Sequence, residues 1–267
     1  MHIFSSIILG IVEGATEFIP ISSSGHLIIA RDILGWNGSN SLSFDAVLQL
    51  ATVLALVVYF WKDLWRLIKT FFAMILQKPV EHRDVVMIFA IILGTIPAII
   101  GGLLLEKQME TIFRSAELVA WVLLVGSAVM YFAEKFATKD KMLSIGKGFW
   151  VGLFQCLALV PGFSRSGATI SGGLFFGLNR EEAARFSFLL SMPIIFGSGV
   201  KKFLEIYHAG LSGASGVELL AGSLTAFIVG LLAIGFLMKY LRNHTLNLFV
   251  WYRVILAVVV LLVLHFT

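Results

Sequence analysis

The sequence predicts an all-α integral membrane protein, with six transmembrane helices and two re-entrant helical hairpins arranged as an inverted-topology internal repeat. Three observations support this fold class. First, 58% of the 267 residues are hydrophobic and 13% are charged, whereas soluble domains contain about a quarter charged residues. Second, six apolar stretches reach or approach the length needed to cross a bilayer. Third, two serine-rich runs interrupt the apolar sequence and match each other at a fixed spacing.

The predicted spans follow from length, because a helix needs about 20 apolar residues to cross about 30 Å of hydrocarbon. The six stretches are 44–61, 85–105, 118–134, 186–204, 217–238 and 247–265. Four other apolar pieces are too short to cross, namely 2–19, 27–35, 148–160 and 168–178. Segment 62–83 alternates Trp, Leu and Ile with basic residues, which predicts an amphipathic helix on the cytoplasmic surface.

The short apolar pieces flank the two serine-rich runs in pairs. Pro20 and Pro161 lie at the interruptions, close to several glycines, and this composition favours reversal of the chain over continuation of a helix. Irregular backbone at membrane depth is tolerated only where protein or a water-filled cavity surrounds it. Each pair is therefore predicted to form a re-entrant hairpin with its polar tip inside the membrane. Two full, kinked spans are the alternative.

A shift of 142 positions superimposes the first half of the chain on the second. It places Ser24 on Ser166 and Gly25 on Gly167, and it also pairs glycines and phenylalanines outside the serine-rich runs. We predict one membrane domain, 1–267, whose repeats cover about 1–134 and 143–267. Most basic loop residues fall on one side if each full span crosses once, and the positive-inside rule makes that side cytoplasmic. The two repeats are then inverted, with a site where they meet.

The first serine-rich run carries acid and base groups. Glu13 and Glu17 stand four residues apart on one helix face. Two carboxylates so placed in a low dielectric share a proton or a cation, which makes them candidate ligands of Mg²⁺ or Ca²⁺. Capping of nearby backbone is the alternative. The polar residues that follow are Ser22, Ser23, Ser24, Gly25 and His26. A serine becomes a nucleophile when a histidine with an orienting carboxylate accepts its proton, and the glycine lets backbone N–H groups approach an anion.

The second run carries the complementary cation. A guanidinium at membrane depth needs an anionic partner, and the planar fork of Arg165 suits two phosphate oxygens. Its polar neighbours are Ser164, Ser166, Gly167 and Thr169. A helix predicted to begin near Ala168 would direct its positive N-terminal end at the same anion. The alternative is an Arg–Glu pair that only holds the two hairpins together. Asp45 and Gln49 share a helix face and are further candidates for lining the cavity.

Composition and motifs exclude several other classes of protein. Basic residues are scattered rather than gathered in a stripe, so nucleic acid is not an expected partner. The single cysteine, Cys156, excludes an internal disulfide and a multi-cysteine metal site. The phosphate-loop motif of nucleotide hydrolases and the HExxH motif of zinc peptidases are both absent from the sequence.

Two long motifs together resemble the bacitracin-resistance family of undecaprenyl-pyrophosphate phosphatases. The first is EGATEFIPISSSGH at 13–26, and the second is PGFSRSGAT at 161–169. The segment FSFLLSMP at 186–193 extends the likeness, which covers nearly the whole chain. The family has Thr where this chain has Ser24, so a hydroxyl is kept at that position.

The resemblance implies hydrolysis of undecaprenyl diphosphate to undecaprenyl phosphate and inorganic phosphate, which recycles a lipid carrier for cell-wall synthesis and gives bacitracin resistance. It also implies a location in the bacterial inner membrane, a site open to the outer face and stimulation by a divalent cation. The expected partners are the polyprenyl diphosphate lipid and the bilayer, and the sequence leaves a homodimer open. The catalytic or substrate-binding set carried over by motif position is Glu13, Glu17, Ser23, His26 and Arg165, assisted by Ser22, Ser164 and Thr169.

Two alternatives remain open from the sequence. In the mechanism we expect, Ser23 attacks the terminal phosphorus with His26 or Glu17 as base, and in the other mechanism His26 is itself the nucleophile. Inverted repeats with broken helices are also typical of secondary transporters. A polyprenyl-phosphate transporter is therefore the alternative function. The cluster of Glu, Ser and His beside the arginine favours an enzyme.

Overall fold

The computed structural model describes residues 3–34, 41–105, 115–138, 142–209 and 216–266. Within these ranges the chain forms helices and no strand. The first six are α1 (Ile3–Phe18), α2 (Ser23–Leu34), α3 (Ser41–Tyr59), α4 (Trp61–Ile75), α5 (His82–Leu104) and α6 (Ala116–Phe136). The remaining five are α7 (Ile145–Cys156), α8 (Arg165–Phe175), α9 (Arg180–Ala209), α10 (Gly216–Asn243) and α11 (Asn247–Phe266). A short 3-10 turn, Leu157–Leu159, follows α7.

Length and apolar composition qualify five of the described helices as membrane spans, namely α5, α6, α9, α10 and α11. A sixth span is counted if α3 and α4 are taken together, although the two meet at a bend of 78°. The five helices overlap five of the predicted apolar stretches, and α3 overlaps the sixth, 44–61. Many of their outward side chains are exposed and apolar, as expected for contact with lipid. The chain is thus a multi-pass membrane protein.

The four predicted short pieces are also helical, and none of α1, α2, α7 and α8 reaches 18 residues. Helix α8 is buried without interruption from Ser166 to Leu174, where α6, α7 and α9 pack around it. Helix α1 packs against α2, α3 and α10. The polar interruptions therefore lie inside the helical assembly, where neighbouring protein can satisfy their backbone groups.

Close packing of α1 on α10 and of α7 on α5 brings backbones into direct contact at glycines. A Cβ atom added at Gly10 would overlap the carbonyl group of Gly222, and one added at Gly152 would overlap the backbone of Gly94. Gly10 and Gly152 are equivalent under the 142-residue shift. Related packing thus recurs in the two halves, while their inversion across a membrane stays a prediction.

Helix α4 lies within the segment predicted to be amphipathic, and it exposes apolar side chains that include Trp65 and Ile68. Asp63 of α4 forms an ion pair with Arg185 of α9. Arg66 Nε lies 3.2 Å from a carboxylate oxygen of Asp84 on α5. These pairs join α4 to two spanning helices, and its place on the cytoplasmic surface stays a prediction.

An aromatic contact fixes the end of α1, where the candidate site begins. The ring of Phe18 meets the ring of Phe188 on α9 edge to face, with centroids 5.7 Å apart. Both side chains are almost fully buried in the main hydrophobic cluster. Because the interior is close-packed, this contact leaves the preceding turn of α1 little freedom to rotate.

Candidate active site

Helices α1 and α2 are separated by residues 19–22, here called the first break. Ser22 takes a positive φ of 79°, which is uncommon for a residue with a Cβ atom. Its hydroxyl oxygen accepts a hydrogen bond of 3.4 Å from the backbone N–H of Gly25 and lies 3.5 Å from the hydroxyl of Ser24. Ser22 therefore acts as the N-terminal cap of α2, and the cap helps to offset the cost of its backbone conformation.

Residues 160–164, here called the second break, repeat this arrangement. Ser164 has a φ of 75°, and its hydroxyl accepts from the N–H of Gly167 at 3.1 Å and lies 3.2 Å from the hydroxyl of Ser166. Helix α8 consequently begins at Arg165, and the prediction of a start near Ala168 was wrong. The serine cap lets the helix include the polar residues that the sequence suggested were outside it.

The two breaks are equivalent in sequence and in local structure. Ser22 corresponds to Ser164 under the 142-residue shift, and both have a positive φ and cap the glycine three residues later. The N–H groups of Gly25 and Gly167, expected to face an anion, therefore donate to these caps. The serine hydroxyls and the guanidinium of Arg165 are further donors at the two tips.

Glu17 connects the two breaks directly. One of its carboxylate oxygens accepts a hydrogen bond from the hydroxyl of Ser23, and the other accepts from Nη2 of Arg165. The Glu17 side chain is 3% exposed and that of Arg165 is 19% exposed, so this ion pair is largely withdrawn from solvent. The structure thereby brings together three of the predicted catalytic residues from opposite halves of the chain.

Glu13 lies one helical turn before Glu17 and is fully buried. Among the described residues, neither of its carboxylate oxygens has a hydrogen-bond partner. Glu13 interacts electrostatically with Arg165 and with Asp45. A buried polar group without a partner is costly, so this carboxyl group fits a position that a cation, a water molecule or a ligand completes. The described residues contain no group of three or more His, Cys, Asp and Glu side chains with metal-site geometry.

Both ring nitrogens of His26 are engaged away from Ser23. Nδ1 lies 2.7 Å from the carbonyl oxygen of Ser22, and Nε2 lies 2.8 Å from the hydroxyl of Tyr252 on α11. Since a carbonyl oxygen only accepts, Nδ1 carries the hydrogen, and neutral Nε2 accepts from the tyrosine. The two rings also stack, with centroids 5.6 Å apart. Tyr252 is a site residue that the sequence analysis missed.

Two other candidates lie beside the cluster rather than in it. Thr169 is fully buried, and its hydroxyl is 2.5 Å from that of Ser187 on α9 and 2.8 Å from the carbonyl oxygen of Arg165. It supports the first turn of α8. Asp45 forms an ion pair with Arg31, which is a buried residue of α2.

Arg253 is a second residue that the sequence analysis missed. It lies in the first half of α11 and is 0% exposed. The sequence did carry a signal, because a charged residue within the apolar stretch 247–265 is expensive in a membrane and is a candidate functional residue.

Comparisons with known proteins match nearly the whole chain. The family model described as bacitracin resistance protein BacA matches residues 6–259. A protein of Chloroherpeton thalassium named undecaprenyl-diphosphatase is 41% identical, with 99% of this chain and 97% of the relative aligned. The undecaprenyl-diphosphatase of Mycolicibacterium smegmatis is 45% identical, with 97% of this chain and 95% of the relative aligned.

Proposed function

Because the chain belongs to the BacA family of bacitracin resistance proteins, we propose that it is an undecaprenyl-diphosphatase. It would hydrolyse undecaprenyl diphosphate to undecaprenyl phosphate and inorganic phosphate. One observation carries the proposal: Glu17 contacts both Ser23 and Arg165. A hydroxyl, a carboxylate and a guanidinium thereby lie in one buried cluster, which supports their proposed roles as nucleophile, base and phosphate-binding cation in phosphoryl transfer.

Arg165 is the proposed binding residue for the diphosphate. Its guanidinium presents donors in a plane that matches phosphate oxygens, and its side chain is more exposed than that of Glu17. The hydroxyls of Ser164 and Ser166 lie beside it, and the N-terminus of α8 adds a partial positive charge. Charge stabilisation is the main requirement of phosphoryl transfer, so these groups supply a large share of catalysis.

Ser23 is the proposed nucleophile and Glu17 the proposed base. The hydroxyl oxygen of Ser23 forms a bond to the terminal phosphorus while its proton passes to the Glu17 carboxylate. The bond from that phosphorus to the bridging oxygen breaks, and undecaprenyl phosphate leaves. Glu17 passes its proton to the leaving phosphate oxygen and is a carboxylate again. A water molecule then gives a proton to Glu17 and attacks the phosphoserine. The bond from phosphorus to the Ser23 oxygen breaks, that oxygen takes the proton back from Glu17, and inorganic phosphate is released.

The histidine alternative has less support from the contacts. A nucleophilic His26 needs a free ring nitrogen, whereas Nδ1 is bonded to the Ser22 carbonyl and Nε2 to Tyr252. The two mechanisms differ in the stability of the intermediate. Protein trapped with ³²P in the terminal phosphate should carry acid-stable label, which Ser23→Ala abolishes. Acid-labile label that survives in Ser23→Ala would assign the nucleophile to His26.

Glu13 and Glu17 would hold the proposed divalent cation, Mg²⁺ or Ca²⁺. Two carboxylates on one helix face, one of them without a partner among the described residues, fit an oxygen-rich site that substrate phosphates complete. When bound, the cation would neutralise charge on the diphosphate.

The membrane arrangement is also proposed. The site would open to the outer face of the bacterial inner membrane, with the two hairpins entering from opposite sides. The matching caps at Ser22 and Ser164 support the repeat on which this topology rests. Labelling of single cysteines in loops of a Cys156→Ala background with an impermeant reagent tests the orientation. A homodimer, left open by the sequence, is tested by the mass of the protein in detergent.

Release of phosphate from a C15 or C55 diphosphate by detergent-solubilised protein tests the proposed function. Hydrolysis needs no sealed compartment, whereas transport does. Phosphate release by the wild-type protein that is lost in the Ser23→Ala variant would support the proposed enzymatic function. Ser198→Ala is the matched control, because that hydroxyl bonds the carbonyl of Ile195 on its own helix at 3.2 Å. Folded protein that moves the lipid across vesicles without releasing phosphate would favour the transporter.

A further inference from the structure

Arg253 contacts backbone on both breaks at once. Its Nη1 donates to the carbonyl oxygen of Pro20 in the first break at 3.3 Å and to that of Phe163 in the second break at 2.9 Å. Its Nη2 donates to the carbonyl oxygen of Gly162 at 3.0 Å. A single side chain on α11 therefore joins the two breaks, which Glu17, Ser23 and Arg165 flank in the sequence.

The same guanidinium is also held by α6. Nε donates to the hydroxyl of Ser127 at 3.2 Å, and Nη2 donates to the carbonyl oxygen of Leu123 at 3.3 Å. Ser127 in turn donates to that Leu123 carbonyl at 2.7 Å. These bonds fix the position and the orientation of the Arg253 guanidinium, so α6 and α11 together hold it against both breaks.

Among the described residues, the charge of Arg253 is balanced by dipoles rather than by a carboxylate. In the part of the chain that the structure describes, its hydrogen-bond acceptors are four carbonyl groups and one hydroxyl. Pro20 lies just beyond the C-terminus of α1, and Gly162 and Phe163 follow the 3-10 turn after α7. Helix C-termini carry partial negative charge. A buried cation without these carbonyls would be strongly destabilising, so Arg253 favours the arrangement in which both breaks face it.

Gly126 provides the space for this contact. A Cβ atom added there would overlap Nη2 of Arg253, and it would lie 3.1 Å from the carbonyl oxygen of Phe163. An alanine at position 126 must therefore displace the guanidinium or the second break, although it leaves Arg253 itself in the sequence.

We infer that Arg253 is a positioning residue, which sets the distance between the Ser23–Glu17 pair on one hairpin and Arg165 on the other. The inference rests on the proposed function. Arg253 bonds the backbone of the breaks while Arg165 retains the partly exposed side chain that meets the substrate. Loss of the Arg253 bonds should thus misalign the nucleophile and the bound phosphate without removing either.

The test compares Arg253→Met, Arg253→Lys and Gly126→Ala in detergent-solubilised protein, with kcat expressed per monodisperse, folded molecule. A misplacement of about 1 Å can cost on the order of 100-fold in rate. We expect kcat to fall by about that factor in Arg253→Met and by less in Arg253→Lys and Gly126→Ala, while KM changes little. Gly146→Ala is the matched control, because a Cβ atom there meets nothing within 4 Å.

Three results would overturn the inference. Unchanged kcat per folded molecule in Arg253→Met would assign Arg253 to folding alone. A raised KM with unchanged kcat would make it a substrate-binding residue. If Arg253→Met does not fold, Gly126→Ala decides, and a wild-type kcat in that variant contradicts the positioning role.

Hydrogen exchange separates this inference from the proposed reaction, since it needs no substrate. Amide exchange at 22–26 and 164–168 should become faster in Gly126→Ala than in Gly146→Ala. Suppose that the wild-type protein releases no phosphate, but amide exchange is still faster in Gly126→Ala than in Gly146→Ala. That result would refute the phosphatase proposal and still support the contact of Arg253 with the breaks. Equal exchange in the two variants would refute the positioning role.

Discussion

Replacing Glu17 by Gln tests the centre of the proposed mechanism. The amide keeps the size of the side chain and can still accept one hydrogen bond, but it carries no charge and cannot take a proton from Ser23. Glu17 accepts from both Ser23 and Arg165, so the substitution removes the base and frees the guanidinium together. The two consequences have opposite effects on kcat and on substrate binding.

The expected magnitude follows from these two contacts. Removal of a positioned general base costs about 10²- to 10⁴-fold in rate, and we expect kcat of Glu17→Gln to fall within this range. Arg165 no longer pairs with an anion in the free enzyme, so the diphosphate need not displace a carboxylate to bind it. KM should therefore stay level or decrease. A lower kcat with a level or lower KM distinguishes loss of a base from general damage to the site.

The assay is steady-state phosphate release by detergent-solubilised protein, with kcat and KM determined separately. Glu134→Gln is the matched control. Glu134 forms a buried pair with Arg180 and also accepts from the backbone N–H of Leu246, but it takes no part in the proposed chemistry at Ser23. The control should lose stability and keep its kcat per folded molecule.

The result that would refute the reasoning is a kcat of Glu17→Gln within threefold of wild type. Glu17 would then serve only to join the hairpins. The double variant with Ser23→Ala adds a second check, because residues that act as a unit are strongly non-additive. If the two rate losses simply multiply, Glu17 and Ser23 do not work in one step.

Three further predictions concern the surroundings of the cluster. Glu13→Gln should raise the Mg²⁺ concentration for half-maximal activity at least about tenfold, and an unchanged metal titration would remove Glu13 from the cation site. Tyr252→Phe keeps the ring stacked on His26 but loses the bond to Nε2, so kcat should fall about two- to tenfold, as one hydrogen bond allows. A wild-type kcat in that variant would show that the bond is dispensable. Gly152→Ala should destabilise the protein by about 1–3 kcal/mol through overlap with the Gly94 backbone, measured against Gly146→Ala as a lower thermal midpoint. Equal midpoints would contradict the close approach of α5 and α7.

Local sequence signals predicted the helices well, since apolar length and glycine or proline at the ends depend on neighbouring residues. Each of the six predicted spans and each of the four short pieces overlaps a helix of the described residues, although α8 ends at Phe175 and the predicted piece extends to 178. The start of α8 was misplaced by three residues, at Arg165 rather than Ala168. The reason is that a serine cap allows a helix to begin inside a polar run.

The candidate site was less predictable, because its contacts join distant segments. The motifs identified Glu17, Ser23 and Arg165, but the sequence left the base open between Glu17 and His26. The structure places Glu17 against Ser23 and turns His26 to Tyr252, which is 226 residues away. Arg253 was overlooked because the stretch 247–265 was judged by its overall apolar composition and not by its single arginine.

The sequence by itself determined that this protein is a multi-pass membrane protein with two equivalent serine-rich breaks, since hydrophobic length and short motifs are local properties. Only the tertiary structure decided which groups meet. Glu17 and Arg165 are 148 residues apart in the chain, and their contact depends on the packing of α1 on α10, of α8 on α9, and on the bonds of Arg253 to both breaks. Close packing and the need to satisfy buried polar groups select that arrangement.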